Sequence, residues 1–220
     1  MSEEQPAVYV DSPETFQAAM KAVGMYYEVT DWLRDHGVET LAQAYNKVED
    51  PTTMLSLIEV CGVVVQRDQY VAFAADCAEH VLPIWLARFP DDHRPEEAIK
   101  AARSGDDSFA RAAYHSAFDA SMKAAALANT TDDHAYFAAS DAADAAAYAA
   151  FSSFANKPAT ASSFAETASG AAHTSVTYAV NAVYEAAKYS STPKRTKTPK
   201  ARKAADAEMR WQMECFRRWF

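Results

Sequence analysis

Residues 135–155 read AYFAASDAADAAAYAAFSSFA. Alanine is the strongest helix former, and its single methyl lets backbones approach closely. So Ala-dense a segment is expected as a helix, over about 132–155, packed about 8 Å from its neighbours. The same composition extends on both sides, with Ala about a third of residues 101–187, several times ordinary usage. It predicts two further long helices, at about 107–128 and 160–189. Asn129 and Asn156 fit as helix ends, and Thr131 or Asp132 as an N-cap.

Working outward, Gly and Pro punctuate the remainder. Ser12-Pro13-Glu14 reads as an N-cap, a first-turn proline and an acidic first turn, followed by Phe16, Met20 and Val23 at helical spacing. A helix over about 26–36 stops at Gly37, and a short one follows at 39–47. Asp50-Pro51 opens another, leading into Val63-Val64-Val65. No second strand-like run exists to pair with that triplet, so it is expected as buried helix. Residues 69–89 are helical, with Pro83 expected to kink the later part. Pro90-Asp91-Asp92-His93-Arg94-Pro95 is a loop opening a helix that ends at Gly105. The expectation is an all-α fold: a single Ala-rich bundle of about seven to nine helices in all, with residues 1–189 as its all-helical body. A basic Pro/Lys linker, 190–203, follows. The last helix, 204–220, carries Trp211, Phe216, Trp219 and Phe220 and is expected to dock back on the bundle.

Charge divides sharply along the chain. Residues 1–187 hold 11 basic and 27 acidic side chains, a net of −16, whereas 188–203 hold seven basic side chains and no acid. An acidic body repels a nucleic-acid backbone, so no DNA or RNA is expected on it. No apolar run is long enough to span a bilayer, and the N-terminus has no apolar signal core. A cytoplasmic protein with no membrane partner is therefore expected. The three cysteines, Cys61, Cys77 and Cys215, are widely spaced without a CxxC, which reads as buried, reduced thiols. HExxH, paired Glu-x-x-His, a GxSxG elbow and a Gly-rich phosphate loop are all missing, so neither a metal, a cofactor nor a catalytic residue is assigned.

Polar stripes on the Ala-rich helices are the candidate binding residues. Tyr114, His115 and Asp119 lie on the first. Asp133, Phe137, Ser140, Asp141, Asp144 and Tyr148 share a face of the second. Glu166, His173, Thr177, Asn181 and Glu185 form a stripe on the third. Small side chains can leave a groove that Tyr, His, Asn and Asp would line. The opposite reading, in which Ala alone faces inward and these stripes are solvated, stays open. Arg94, beside Asp91 and Asp92, either fixes its loop or meets a ligand phosphate.

Several of these segments resemble a known family. They are Ala75-Asp76-Cys77-Ala78-Glu79-His80-Val81-Leu82-Pro83, the run from Pro90 to Arg103, Arg111-Ala112-Ala113, His173 with Tyr178-Ala179 and Ala186-Ala187, and Glu208 with Trp211-Gln212. Upstream, Trp32-Leu33, Gly37, Thr40-Leu41, Ala44, Pro51 and Met54-Leu55 also fit. Together they resemble the bacterial immunity-protein family, an all-helical immunity-like domain associated with polymorphic toxins and also seen in phages. The resemblance implies a non-enzymatic domain that neutralises a protein toxin or defence effector by stoichiometric binding. The alternative reading is a binder or sponge for a small nucleotide-like signal, held by Arg94, Tyr114, His115, Asp119, Asp144, Tyr148, His173, Thr177 and Asn181. The residues leave oligomerisation open.

Overall fold

The computed structural model describes residues 11–23, 27–131, 135–155, 167–189 and 199–220. Ten helices and no β-strand lie among them. The all-α class holds, and the ten helices slightly exceed the expected seven to nine. By its own contacts the chain divides into two compact units that meet at Val65/Gln66, inside the expected 1–189 body.

The first unit carries α1 (Pro13–Val23), α2 (Tyr27–Asp35), α3 (Leu41–Lys47) and α4 (Pro51–Val60). Each boundary has a visible cause. Gly37, at φ 59°, ends α2 while Val38 N–H reaches back to the Leu33 carbonyl at 2.8 Å. Thr40 accepts from Gln43 N–H, and Asp11 takes the N–H groups of Leu41 and Ala42 at 2.8 and 2.9 Å, so the start of α3 is capped twice. Asp50 caps α4, whose first residue is Pro51. Gly62, at φ 67°, then ends α4 by donating to Glu59, and Val63 donates to Ile58. That left-handed turn corrects the reading of Val63-Val64-Val65 as buried helix. The triplet is non-helical, and Val64 is 79% exposed. β-Branched residues directly after a left-handed glycine leave the helix instead of extending it.

The second unit carries α5 (Arg67–Leu86), α6 (Arg94–Ser104), α7 (Asp107–Thr131), α8 (Ala135–Phe154), α9 (Ala168–Tyr189) and α10 (Pro199–Trp219). Pro83 sits inside α5, close to its end. α7 runs through Asn129 to Thr131, so Asn129 does not end the helix. Thr131 donates its hydroxyl to the Leu127 carbonyl in the last turn. Asp132, Asn156 and positions 160–166 lie outside the described residues. α9 begins at Ala168, where Thr167 caps it by accepting from Gly170 N–H at 2.9 Å. α10 starts at Pro199, ahead of the expected residue 204, because proline suits a first turn and the Lys/Ala run after it favours helix. Positions 190–198 of the expected linker lie outside the described residues.

The second unit is built around α8. α7, α6, α5 and α9 all pack on it, and each is also in contact with the next in that order. Ala142, Ala143, Ala145, Ala146, Ala147, Ala149 and Ala150 are fully buried. A helix apolar on nearly every side belongs in the interior, and methyl-only side chains allow four helices to crowd around it. Serines add short cross-ties. Ser175 Oγ of α9 donates to the α8 carbonyl of Ala145 at 2.8 Å, and Ser140 Oγ of α8 donates to Ser121 of α7 at 3.0 Å. α10 packs against α9 and α5, placing Phe216 edge-on to Phe73 at 5.5 Å.

Candidate functional site

The ring of helices around α8 has one gap. α7 and α9 each pack extensively on α8 but scarcely touch each other. Among the described residues the face of α8 between them is therefore the floor of a trough, walled by α7 and α9. The residues in it recur at helical spacing: Asp141, Asp144, Tyr148 and Phe151 on α8, Tyr114 and Phe118 on α7, Tyr178 and Glu185 on α9.

Aromatic rings fill one end of the trough. Tyr148 stacks on Tyr178 across the α8–α9 seam, with centroids 5.7 Å apart and planes 19° apart. Tyr114 reaches over from α7 to Phe151 at 5.3 Å and to Tyr148 at 6.2 Å. Phe151 and Phe154 meet edge-on at 5.1 Å, and the Arg111 guanidinium covers Phe154 at 4.4 Å. These rings are half-buried, as on a surface and not in a core.

Carboxylates occupy the other end. Asp144 is buried and accepts from Ser121 Oγ at 2.5 Å. Burial pushes its pKa up to about 6, against the pull of that hydrogen bond. Asp141, one turn earlier, is pushed up to about 7, first by burial and then by the like charges of Asp144 and Glu185. Among the described residues no hydrogen bond or ion pair reaches Asp141. Lys188 binds Glu185, at 3.3 Å to both oxygens. The phenols of Tyr114, Tyr148 and Tyr178 are all held above their ordinary pKa, chiefly by burial, with Asp144 contributing to each.

Of the nine candidate residues, Tyr114, Asp144 and Tyr148 come together here. His115 is exposed beside them, its ring 4.9 Å from that of Tyr114. Asn181 is exposed on the α9 wall. His173 and Thr177 lie elsewhere. Thr177 donates its hydroxyl to the His173 carbonyl at 3.0 Å, and a helix turning about 100° per residue puts His173 some 140° around α9 from Tyr178. Asp119 is exposed on α7 and helps to raise the pKa of Arg94, after the larger effect of Asp92. Arg94 is clamped by Asp92, at 2.8 Å through Nε and 2.5 Å through Nη2, and lines a separate hollow with Arg88, Phe89 and Asp91. Asp133 and Glu166 lie outside the described residues.

Asp141 and Glu185 belong to the polar stripes read from the sequence, whereas Phe151 and Tyr178 were not among the candidate residues. The 141–144–148–151 spacing was a usable signal on α8, whereas Tyr178 and Glu185 join only because α9 packs beside it. Among the described residues no group of three or more His, Cys, Asp or Glu side chains is placed to hold a metal ion. The trough offers ring faces and negative charge.

Residues 64–158 match the family model described as Imm-5 like putative immunity protein. Of the segments that carried the resemblance, 75–83, 90–103 and 111–113 fall inside that match, while those at 32–55, 173–187 and 208–212 lie outside it. It takes in α5 through α8, and with them the floor and the α7 wall of the trough. The α9 wall and α10 lie outside it. No curated protein and no solved structure matches the chain. No helix among the described residues is long and apolar enough to cross a membrane.

Proposed function

We propose that this chain neutralises a protein toxin or defence effector by stoichiometric, non-catalytic binding, and that the trough above α8 is the face it uses. The observation that carries this reading is the combination, on one face of α8 and its neighbours, of half-buried rings with the carboxylates Asp141 and Asp144, which no ion pair reaches among the described residues. Tyrosine and phenylalanine supply rigid contact area at small entropic cost, and negative charge accelerates association with basic partners. The immunity-protein match over α5–α8 supports the same role.

The small nucleotide-like ligand is the weaker reading. Asp141, Asp144 and Glu185 repel a phosphate, and Arg94, the cation assigned to meet one, is already bound to Asp92. Cytoplasmic action and origin in a bacterium or a phage belong to this proposal as well.

The test begins with the full chain purified from its host cell and examined by native mass spectrometry. A captured polypeptide must arrest growth when expressed alone, and growth must return when this chain is co-expressed in equimolar amount. Protection should fall at least tenfold for a Tyr148→Ala/Tyr178→Ala variant with unchanged circular dichroism. Protection at far below equimolar amounts, or a bound small molecule with no polypeptide, overturns the proposal.

A further inference from the structure

We propose that Cys77 of α5 and Cys215 of α10 form a redox pair: peroxide joins them in a disulfide that locks α10 onto α5, and a thiol reductant releases it. This inference is independent of the neutralisation reading above.

The register of the two helices is the first argument. Gln69 donates to the Trp219 carbonyl, Phe73 meets Phe216 at 5.5 Å, and His80 stacks on Trp211 at 3.7 Å and bonds Glu208 at 2.9 Å. Numbers rise along α5 as they fall along α10, so the helices run antiparallel along one seam. Cys77 falls between Phe73 and His80 on one side of it, and Cys215 between Trp211 and Phe216 on the other. Both are thiols, and both are fully buried.

The polar contacts of the two sulfurs are the second argument. Cys215 donates its S–H to Asp76 Oδ2, on the residue next to Cys77, at 3.5 Å. Cys77 in turn donates its S–H to the Cys215 sulfur. Two sulfurs that share a proton inside a packed seam need little movement to bond. They also differ in role. The bond from Cys77 holds the Cys215 thiol below its ordinary pKa, whereas burial first, and Cys215 second, push Cys77 well above. Thiolate is the reactive form. Cys215 also lies about one turn from the end of α10, and helix ends open before their middles. Cys215 is therefore the sulfur that meets the oxidant, and Cys77 the one that resolves it.

The chemistry balances with hydrogen peroxide as oxidant. The Cys215 sulfur attacks one peroxide oxygen. An S–O bond forms, the O–O bond breaks, and the departing hydroxide leaves as water with the Cys215 proton. The Cys77 sulfur then attacks the sulfenic sulfur. The S–S bond forms, the S–O bond breaks, and a second water leaves with the Cys77 proton. Two thiols lose two electrons, and one peroxide gains them. α5 lies inside the immunity-protein match and α10 outside it, so the bond ties a helix beyond the match to the matched body. In a reducing compartment it forms only while peroxide is present.

The experiment exposes the reduced full-length chain to a few equivalents of hydrogen peroxide, blocks remaining thiols with N-ethylmaleimide, and maps non-reduced tryptic peptides by mass spectrometry. The expected product joins peptide 68–88 to peptide 211–217, with Cys61 blocked as a free thiol, and dithiothreitol reverses it. The oxidised chain should melt about 5 °C or more above the reduced one. Cys61→Ser should form the same bond at an unchanged rate, and Cys215→Ser should form none. In concentrated urea, where the seam is lost, the Cys77–Cys215 bond should form at least tenfold more slowly, and the shorter Cys61–Cys77 loop should compete with it. Because the wild-type chain gives the peptide map and the urea comparison, the test survives a variant that fails to fold. Absence of the 77–215 link in the folded chain, the same mixture of links folded and in urea, or a lower Tm on oxidation overturns the proposal.

Discussion

Two faces of the second unit handle their carboxylates in opposite ways. Where α5, α6 and α10 meet, each acid has partners. Asp76 takes Arg103 at 2.8 Å and the Trp219 indole N–H at 2.9 Å, and Glu79 takes Arg103 at 2.7 Å. Glu208, buried under α10, takes His80 at 2.9 Å and Gln212 at 3.1 Å, and His80 stacks on Trp211 at 3.7 Å. Across the unit, on the face of α8 between α7 and α9, Asp144 accepts from a serine hydroxyl, and among the described residues no hydrogen bond or ion pair reaches Asp141. The paired acids tie α10 to the body. The unpaired ones weaken the fold they sit in, and selection tolerates a loss of that kind most readily where a surface is used for binding.

The largest effect is expected on the paired face. Phe216 is fully buried, edge-on to Phe73 and stacked on Phe220 at 4.5 Å. Phe216→Ala should cost about 3–5 kcal/mol in urea unfolding of the whole chain. A loss below about 1 kcal/mol would mean that α10 does not belong to the cooperative unit, and the comparison would lose one of its sides.

Next comes the unpaired face, with the opposite sign. Asp141 has a folded pKa of about 7, above its ordinary 3.8. An acid raised in this way favours the folded state most below its unfolded pKa, and that contribution is lost as pH rises through the folded pKa. Stability should therefore decline between about pH 4 and pH 7 on this account. Asp141→Asn should flatten the decline and raise stability by about 2 kcal/mol at pH 8, with little change at pH 4. Thermal melts at the two pH values read this directly. A variant that loses stability equally at both would show Asp141 to be a structural group like Asp76. A more stable variant that protects cells less well would sharpen the contrast between the faces.

The smallest effect belongs to Arg103. Its side chain is 39% exposed, so the bonds to Asp76 and Glu79 are screened by water. Arg103→Ala should cost about 1 kcal/mol or less, and the cost should shrink further in high salt. A loss well above that would make the ion network, and not the aromatic seat of Phe216, the main tie of α10.

Local reading went far for the fold because its signals are local. Ala145-Ala146-Ala147, buried on every side, announces an interior helix by composition. Gly37 and Gly105 end helices because each takes a positive φ, 59° and 72°, that other residues resist. The same reading failed at Val63–Val65, where apolar character suggested burial. A single left-handed glycine decided otherwise, and Val64 stands in solvent.

The trough was legible only in part, and the reason is geometric. Spacing along one helix places Asp141, Asp144, Tyr148 and Phe151 on a common face, and that much is a property of the chain. Whether the face meets water or another helix depends on which neighbours close around α8. Tyr178 and Glu185 enter because α9 packs there, while His173 and Thr177, on the same helix, are turned away from them. Composition and periodicity thus determined that this protein is helical and where its interior helix runs, because both follow from backbone propensity and side-chain size. The side of that helix left between α7 and α9, and the company its acids keep there, were decided by tertiary packing alone, since electrostatic pairing depends on distances that no local pattern encodes.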